Sequence, residues 1–308
     1  MRKFKRLGFK NVLCYNNFTM ENVLKIAIPN KGRLSEKIYE LLNSAGLCFE
    51  TKGERTLSVK TKDEKYSLVF MRTQDIPRLL DANVADIGFT GHDIVVEEGF
   101  DLEEIKDLGF GACKMVVAVK NDEPYNEVSD LPRDINVATS FPNIATKYFK
   151  ENGKNAKIIE ISGAVEITPS LGLSDVVVDI TSTGATLKSN NLKIIGEILS
   201  STAVIIKRKG LNKEKEEKIE SLLRALDSVI DAKKKKYLMA HVPTSKMEEV
   251  KSFLPGLSTP TIMKLYNDDE HVVIHVVVDA DKVYDSIDHL KKLGGQGILI
   301  LTVDQMVK

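Results

Sequence analysis

The sequence has no tryptophan, and aromatic residues make up only 6% of its 308 residues. Proteins that bind single-stranded nucleic acids stack the bases on aromatic side chains, so a base-stacking surface is not expected. Lysine plus arginine and aspartate plus glutamate both number 44, which gives a net charge of zero instead of the basic excess typical of nucleic-acid-binding proteins. Both deficits argue against nucleic acid as a partner.

Cysteine is scarce as well. The three cysteines, Cys14, Cys48 and Cys113, are odd in number and lack the spacing of metal ligands. This usage is typical of a reducing compartment, so we expect a cytoplasmic protein. No apolar run approaches the roughly 20 residues that a membrane-spanning helix needs, and no membrane partner is expected.

Residues 1–22 form a basic and then polar tail that lacks the apolar core of a secretory signal. We expect this tail to be disordered. A start codon assigned upstream of Met20 and a targeting segment remain alternatives.

The most informative stretch is VVVDITSTGATL at residues 176–187. Its valines and Ile180 predict a buried strand, which one acid, Asp179, interrupts. A turn rich in hydroxyl groups follows and opens a helix, an arrangement whose amides and hydroxyls can bind phosphate. Asp179 at the strand end could reach ribose hydroxyls or a hydrated Mg²⁺. A glycine turn that binds nothing is the alternative, but the density of hydroxyl groups favours a phosphate site.

Other polar residues follow predicted strands and are further candidates. Lys31, Gly32 and Arg33 join the strand 23–28 to a helix over 34–45, as either a second anion site or two solvated charges. Arg72 ends a strand, and Arg55 precedes one. The remaining candidates are the donors Thr139, Ser140 and Asn143 at a predicted helix start, and Glu166 in the loop 162–168, which could orient or deprotonate a substrate or could simply be solvated.

The residue pattern of the C-terminal part predicts elements in the order β-α-β-β-α-β, which is the ferredoxin-like pattern. Four histidines fall there, His241, His271, His275 and His289. No cysteine or carboxylate completes a ligand set at the usual spacing, so we do not expect a metal site.

Three strings carry a family resemblance: GAVEITP at 163–169, GLSD at 172–175 and STGATL at 182–187. Together they resemble ATP phosphoribosyltransferases of the long form. Other phosphoribosyltransferases usually have two adjacent acids before the phosphate loop, whereas Asp179 is followed by Ile180, a difference known for the ATP-dependent family. The resemblance covers roughly Leu24 to Val307.

The resemblance implies an α/β fold: a two-lobed, periplasmic-binding-protein-like catalytic unit and a C-terminal ferredoxin-like (βαββαβ) regulatory domain. It places lobe I at 23–110 plus 195–232, lobe II at 111–194 and the regulatory domain at 233–308.

The implied reaction joins N1 of ATP to C1 of phosphoribosyl pyrophosphate (PRPP), releases pyrophosphate and begins histidine biosynthesis. The resemblance implies Mg²⁺ held mainly through substrate phosphates, inhibition by histidine, and assembly into dimers and hexamers. The implied catalytic residues are Asp179, Glu166, Lys31 and Arg33. Those implied to bind PRPP are Asp179, Thr181, Ser182, Thr183, Gly184, Ala185, Thr186 and Leu187. Further substrate contacts fall on Lys31, Gly32, Arg33, Arg55, Arg72, Ser140 and Asn143, and histidine contacts on Ser258, Thr259 and Thr261.

Two alternatives of other kinds remain at this point. A prephenate dehydratase also joins two binding-protein-like lobes to a ferredoxin-like regulator, but it has no use for a PRPP loop. A non-enzymatic amino-acid sensor would close two lobes on its ligand without needing the clustered hydroxyl groups.

Overall fold

The computed structural model describes residues 22–47, 49, 57–254 and 260–307. The predicted tail, Arg55, Ser258 and Thr259 therefore lie outside the described residues, apart from Asn22. The chain forms two compact units, one of Met1–Ile38 with Phe49–Lys218 and one of Tyr39–Cys48 with Ile219–Lys308. Within the described residues, no helix combines the length and the apolar character needed to cross a membrane.

Up to residue 233, the chain mixes strands with helices in the manner of an α/β protein. The strands are β1 (Leu24–Pro29), β2 (Ser58–Lys60), β3 (Tyr66–Met71), β4 (Ile87–Gly91), β5 (Glu103–Asp107), β6 (Cys113–Lys120), β7 (Asp134–Thr139), β8 (Asn155–Glu160), β9 (Val176–Thr181), β10 (Leu192–Ser201) and β11 (Ala203–Lys207). The helices are α1 (Ser35–Ser44), α2 (Ile76–Asp81), α3 (His92–Glu98), α4 (Pro142–Glu151), α5 (Ala185–Ser189) and α6 (Lys213–Lys233).

Lobe I is built on a six-stranded sheet in the order β2-β3-β1-β4-β11-β5. Strands β3, β1 and β4 run parallel, so their carboxyl ends meet at one edge, where Pro29 lies opposite Met71. Strand β5 was not predicted from the sequence. It is a charged strand at the edge of the sheet, paired with β11, so its own residues show no strand pattern.

Lobe II is built on a five-stranded sheet in the order β10-β6-β9-β7-β8. Strands β9, β7 and β8 are parallel, and β6 runs antiparallel to β9. Val176, Val177 and Val178 are fully buried, with Val177 in one apolar cluster and its two neighbours in another. Because both faces of the strand are buried, its sequence is a nearly continuous run of apolar residues.

Among the residues that the structure describes, the chain crosses between the two sheets from β5 to β6 and again from β10 to β11. The second crossing is short, since Ser201 ends β10 and Ala203 begins β11. Two open α/β sheets joined by crossing segments are the arrangement of periplasmic binding proteins, and the predicted fold class is confirmed.

The second unit contains a four-stranded antiparallel sheet. Its elements are β12 (Lys235–Pro243), α7 (Met247–Phe253), β13 (Thr261–Leu265), β14 (Asp268–Asp279), α8 (Val283–Lys292) and β15 (Gln296–Thr302). The strand order β13-β14-β12-β15 is that of a ferredoxin-like domain. Leu238, Ile274 and Leu290 lie in its core, and the predicted βαββαβ architecture is confirmed.

Candidate active site

The loop that follows β9 lines a cavity of about 310 Å³. Its lining residues come from the end of β9, the turn after it, the first turns of α5 and the segment before β9, and they are Glu166, Asp179, Ile180, Thr181, Ser182, Thr183, Thr186 and Leu187. The structure thus brings together most of the residues predicted to bind PRPP and adds Glu166 to them.

The loop is shaped by two internal hydrogen bonds. Gly184 adopts a left-handed conformation (φ 76°) that suits glycine, and its amide donates to Thr181 Oγ1 at 2.8 Å. The amide of Ala185 donates to Thr183 Oγ1 at 3.4 Å. Within the described part of the chain, the hydrogen bonds outside helices and strands include none donated by the amides of Ser182 and Thr183. Thr186 lies in the first turn of α5, where amides have no acceptor within the helix. These amides remain able to bind an anion.

Asp179 lies in the last half of β9, with its side chain at the cavity. The pKa of Asp179 is raised to about 6, mainly by burial and to a smaller extent by the negative charge of Glu166, although the amide of Ile180 donates to Oδ1 at 2.8 Å and stabilises the charged form. Asp179 is therefore ionised at neutral pH but takes up a proton in mildly acidic solution.

Glu166 is positioned by a strained turn. Ala164 has a left-handed backbone conformation (φ 50°), which costs an alanine about 1 kcal/mol. The turn is fixed by the hydroxyl of Thr168, which donates to the carbonyl oxygen of Val165 at 2.7 Å and lies 2.8 Å from Ser174 Oγ. Burial of Val165 holds the next residue, Glu166, at the cavity.

The basic residues of lobe I lie elsewhere. Among the described residues, none from lobe I lines this cavity. Gly32 is left-handed (φ 98°). Arg33 donates from Nη1 to the carbonyl oxygen of Gly111 at 2.9 Å and from Nη2 to Cys113 Sγ at 3.2 Å. Arg33 thus bridges the loop after β1 and the entry to lobe II.

Lys31 and Arg72 are exposed and follow β1 and β3, which are neighbours in the sheet. Since these strands are parallel, both cations lie at the same carboxyl edge of lobe I. This placement agrees with the position expected for them from strand order.

Ser140 and Asn143, predicted as substrate contacts, point to protein partners. Ser140 Oγ donates to the carbonyl oxygen of Ile161 at 2.6 Å, and Asn143 Nδ2 donates to the carbonyl oxygen of Glu97 at 2.9 Å. Neither lines the cavity of the β9 loop.

Sequence reasoning missed Glu97, whose carboxylate accepts the amides of Asn143 and Ile144. Burial raises the pKa of Glu97. Its only sequence signal is a pair of acids, Glu97 and Glu98, ahead of Gly99, and this signal does not tell which acid is buried.

Two histidines of the second unit bind neighbouring side chains. His275 Nδ1 lies 2.7 Å from the hydroxyl of Tyr237, and His271 Nδ1 lies 3.1 Å from Asp268 Oδ2. Thr261, the described member of the predicted histidine-binding set, is exposed at the start of β13. Within residues 22–47, 49, 57–254 and 260–307, no three His, Cys, Asp or Glu side chains are grouped so that they could hold a metal ion.

Comparison with known proteins agrees with these features. A family model described as ATP phosphoribosyltransferase matches residues 72–228, and one described as HisG, C-terminal domain, matches residues 232–305. The chain is 40% identical over 289 residues to the ATP phosphoribosyltransferase of Methanocaldococcus jannaschii, covering 92% of this chain and 100% of that protein. It is 42% identical over 293 residues to that of Gemmatimonas aurantiaca, with the same coverage.

A solved structure is similar as well. In the ATP phosphoribosyl transferase (HisG:HisZ) complex from Thermotoga maritima, one chain superimposes with a TM-score of 0.61 at 35% identity, covering 68% of this chain and 99% of that one. This chain therefore belongs to the ATP phosphoribosyltransferase family, the transferases that carry out the first step of histidine biosynthesis.

Proposed function

We propose that the loop after β9 binds the 5-phosphate of PRPP and that the two lobes together join N1 of ATP to C1 of PRPP. The observation that carries the proposal is the cavity in which loop amides, four hydroxyl groups and Asp179 converge. The amides of Ser182, Thr183 and Thr186, with the hydroxyl groups beside them, supply donors for a phosphate.

Asp179 would hold the ribose hydroxyls. As the bond from C1 to pyrophosphate lengthens, positive charge develops on the ribose, and a nearby carboxylate stabilises that charge. N1 of adenine attacks C1 directly and pyrophosphate leaves, so no side-chain nucleophile is needed. Catalysis then consists mainly of positioning the reactants and stabilising charge.

The cations at the carboxyl edge of lobe I would meet the pyrophosphate and the phosphates of ATP. Lys31 and Arg72 are exposed there, and Arg33 is held in place by its contacts with Gly111 and Cys113. Arg55, outside the described residues, remains a prediction. Ser140 and Asn143 would support the site indirectly, through their hydrogen bonds to the carbonyl oxygens of Ile161 and Glu97.

Magnesium fits this arrangement through the substrate and not through a closed protein site. Asp179 and Glu166 are two carboxylates at one cavity, and their mutual repulsion favours a cation nearby. When bound, Mg²⁺ would neutralise the pyrophosphate as it leaves. Glu166 and Asp179 would orient the substrate-bound ion or its waters, since Mg²⁺ usually keeps several waters and few protein ligands.

The other two candidate functions do not fit the family to which the chain belongs. A prephenate dehydratase would not need a phosphate cradle, and an amino-acid sensor would not release pyrophosphate. The test is an assay of pyrophosphate release with purified protein, ATP, PRPP and Mg²⁺. Release that requires both substrates is expected, and no release would refute the proposal.

Regulation, assembly and compartment are further parts of the proposal. Histidine would bind the C-terminal domain near Ser258, Thr259 and Thr261 and inhibit at a distance, as a coupling between two sites. The family resemblance supports dimers and hexamers, and cysteine usage supports a cytoplasmic location. For the domains we propose lobe I (23–110 with 195–232), lobe II (111–194) and a regulatory domain (233–308). The family-model boundary between residues 228 and 232 supports the last division, whereas the compact units of the structure divide after Lys218 and place Tyr39–Cys48 with the C-terminal part.

A further inference from the structure

Helix α3 follows strand β4 of lobe I, yet one of its faces packs against lobe II. Asp93, Ile94 and Glu97 are all buried, and their spacing of three and four residues puts them on one side of the helix. Ile94 packs within the apolar cluster of lobe II that contains Phe141 and Ile144. A helix of lobe I therefore supplies part of the core of lobe II.

The amino end of α3 is bonded to the crossing between the lobes. The amide of Asp93 donates to Ser201 Oγ at 3.0 Å, and the Ser201 hydroxyl donates to Asp93 Oδ1 at 2.5 Å. The amide of His92 donates to the carbonyl oxygen of Thr202 at 3.0 Å. Since Ser201 and Thr202 join β10 to β11, these bonds fix α3 to the segment about which the lobes would move.

The other end of α3 is bonded to lobe II itself. Glu97 Oε1 accepts the amide of Asn143 at 2.9 Å, and Oε2 accepts the amide of Ile144 at 3.0 Å. These amides belong to the first turn of α4, which follows β7, the strand next to β9 in the sheet. Glu97 thus holds an element one strand away from the proposed phosphate loop.

We propose that Glu97 is a positioning residue that clamps the two lobes in the orientation in which PRPP can contact both. The inference rests on the proposed function, in which lobe II binds the 5-phosphate and lobe I meets the pyrophosphate. A ligand that contacts both lobes binds in proportion to the fraction of molecules in the aligned orientation. The affinity for a ligand that contacts lobe II alone does not depend on that fraction.

Glu97→Gln tests the clamp, because the amide of glutamine can accept only one of the two α4 amides. Binding of PRPP and of ribose 5-phosphate, each with Mg²⁺, is measured by titration calorimetry. We expect the Kd of PRPP to rise about tenfold and that of ribose 5-phosphate to change by less than about twofold. In steady-state kinetics the KM for PRPP rises while kcat is retained, because saturating PRPP restores alignment.

Glu98→Gln is the matched control. Glu98 is the neighbouring acid on the same helix, and both of its carboxylate oxygens accept from Arg78 of α2, within lobe I, at 2.8 Å. Its substitution should leave both Kd values unchanged. Ser201→Ala breaks the bond at the other end of α3 and should reproduce the selective loss for PRPP, which keeps the test decisive if Glu97→Gln folds poorly.

Equal weakening of PRPP and ribose 5-phosphate in Glu97→Gln would indicate local damage to lobe II and overturn the clamp. The same loss in Glu98→Gln, or unchanged PRPP binding in both Glu97→Gln and Ser201→Ala, would overturn it as well. If the wild-type protein binds neither ligand, the assignment of the phosphate loop fails, and that result is distinct from a failure of the clamp alone.

Discussion

The carboxylates of Glu166 and Asp179 face one cavity, and the charge of Glu166 adds to burial in raising the pKa of Asp179 to about 6. Because the ionised form of Asp179 is the one that stabilises positive charge on ribose, kcat/KM for PRPP should fall as the pH drops through about 6. Burial is the larger cause of the raised pKa, and the neighbouring charge is the smaller.

Replacing Glu166 by Gln removes that neighbouring charge and should lower the pKa of Asp179. The acid limb of kcat/KM for PRPP is then expected to move to lower pH by less than about one unit. Glu151→Gln, an exposed acid of α4, should leave the limb where it is. The phosphates of PRPP titrate equally in all three proteins, so an unmoved limb in Glu166→Gln would contradict the proposed coupling.

Asp179 should also lower the stability of the folded protein at neutral pH. A carboxyl group whose pKa is raised on folding stabilises the fold while protonated, and that contribution is lost as the pH rises through about 6. Asp179→Asn is therefore expected to increase the free energy of unfolding at pH 8 by about 2 kcal/mol. This figure is the energy of a pKa shift of about two units, reduced because Asp179 is partly exposed to solvent. At pH 4 the difference should nearly vanish. Urea unfolding at the two pH values measures it, and an equal gain at both would argue against a raised pKa.

The hydroxyl groups of the β9 loop should matter more for substrate than for folding. Thr186→Val keeps the shape of the side chain but removes a donor, and should raise the KM for PRPP about tenfold, the effect of one hydrogen bond to a charged group. Ser189→Ala, four residues from Ala185 on the same helix, loses only an internal bond to the Ala185 carbonyl oxygen and should leave the KM unchanged. Similar KM values for both variants would place the phosphate elsewhere.

Buried charges on the opposite edge of lobe I should govern stability and not activity. Asp86 is 2% exposed and accepts from Arg208 and Lys215 at 2.8 Å each, as well as from the amide of Lys25. Asp86→Asn leaves two half-buried cations poorly paired and should lower the free energy of unfolding by about 3 kcal/mol. Asp101→Asn, which breaks an exposed pair with Lys209, should have no measurable effect in the same urea titration. A change in kcat for Asp86→Asn in the folded protein would contradict this purely structural role.

Strand β9, the element order of the C-terminal domain and the hydroxyl-rich loop could be predicted, because each depends on residues that are close together in the sequence. The valines of β9 are buried on both faces, and such a strand reads directly from its sequence. The βαββαβ order of the C-terminal domain follows from successive changes in apolar period. The hydroxyl-rich loop could be singled out because its composition is unusual for a structural turn.

The sequence could not show contacts between distant residues. Glu97 and Asn143 are 46 positions apart, and nothing near either residue indicates the other. Glu98 has the same side chain as Glu97 but faces Arg78, so only the rotation of α3 decides which acid is buried. Strand β5 exists because β11 pairs with it, and its own composition is that of a loop. Ser140 and Asn143 were expected near substrate from their place at a predicted helix start and from the family resemblance. In the structure their side chains donate to the carbonyl oxygens of Ile161, after β8, and Glu97, in α3.

Histidine inhibition provides a test of the C-terminal domain in the full-length protein. Replacing Ser258, Thr259 and Thr261 together by Ala removes the hydroxyl groups proposed to bind histidine. The histidine concentration for half-inhibition should then rise at least about tenfold, since a lost hydrogen bond to a charged ligand costs roughly 1.5–3 kcal/mol. Without histidine, kcat should be unchanged. Thr302→Ala, at the end of β15, serves as the control. Unaltered inhibition in the triple variant would move the histidine site away from this turn, and inhibition absent from the wild-type protein would remove the regulatory assignment altogether.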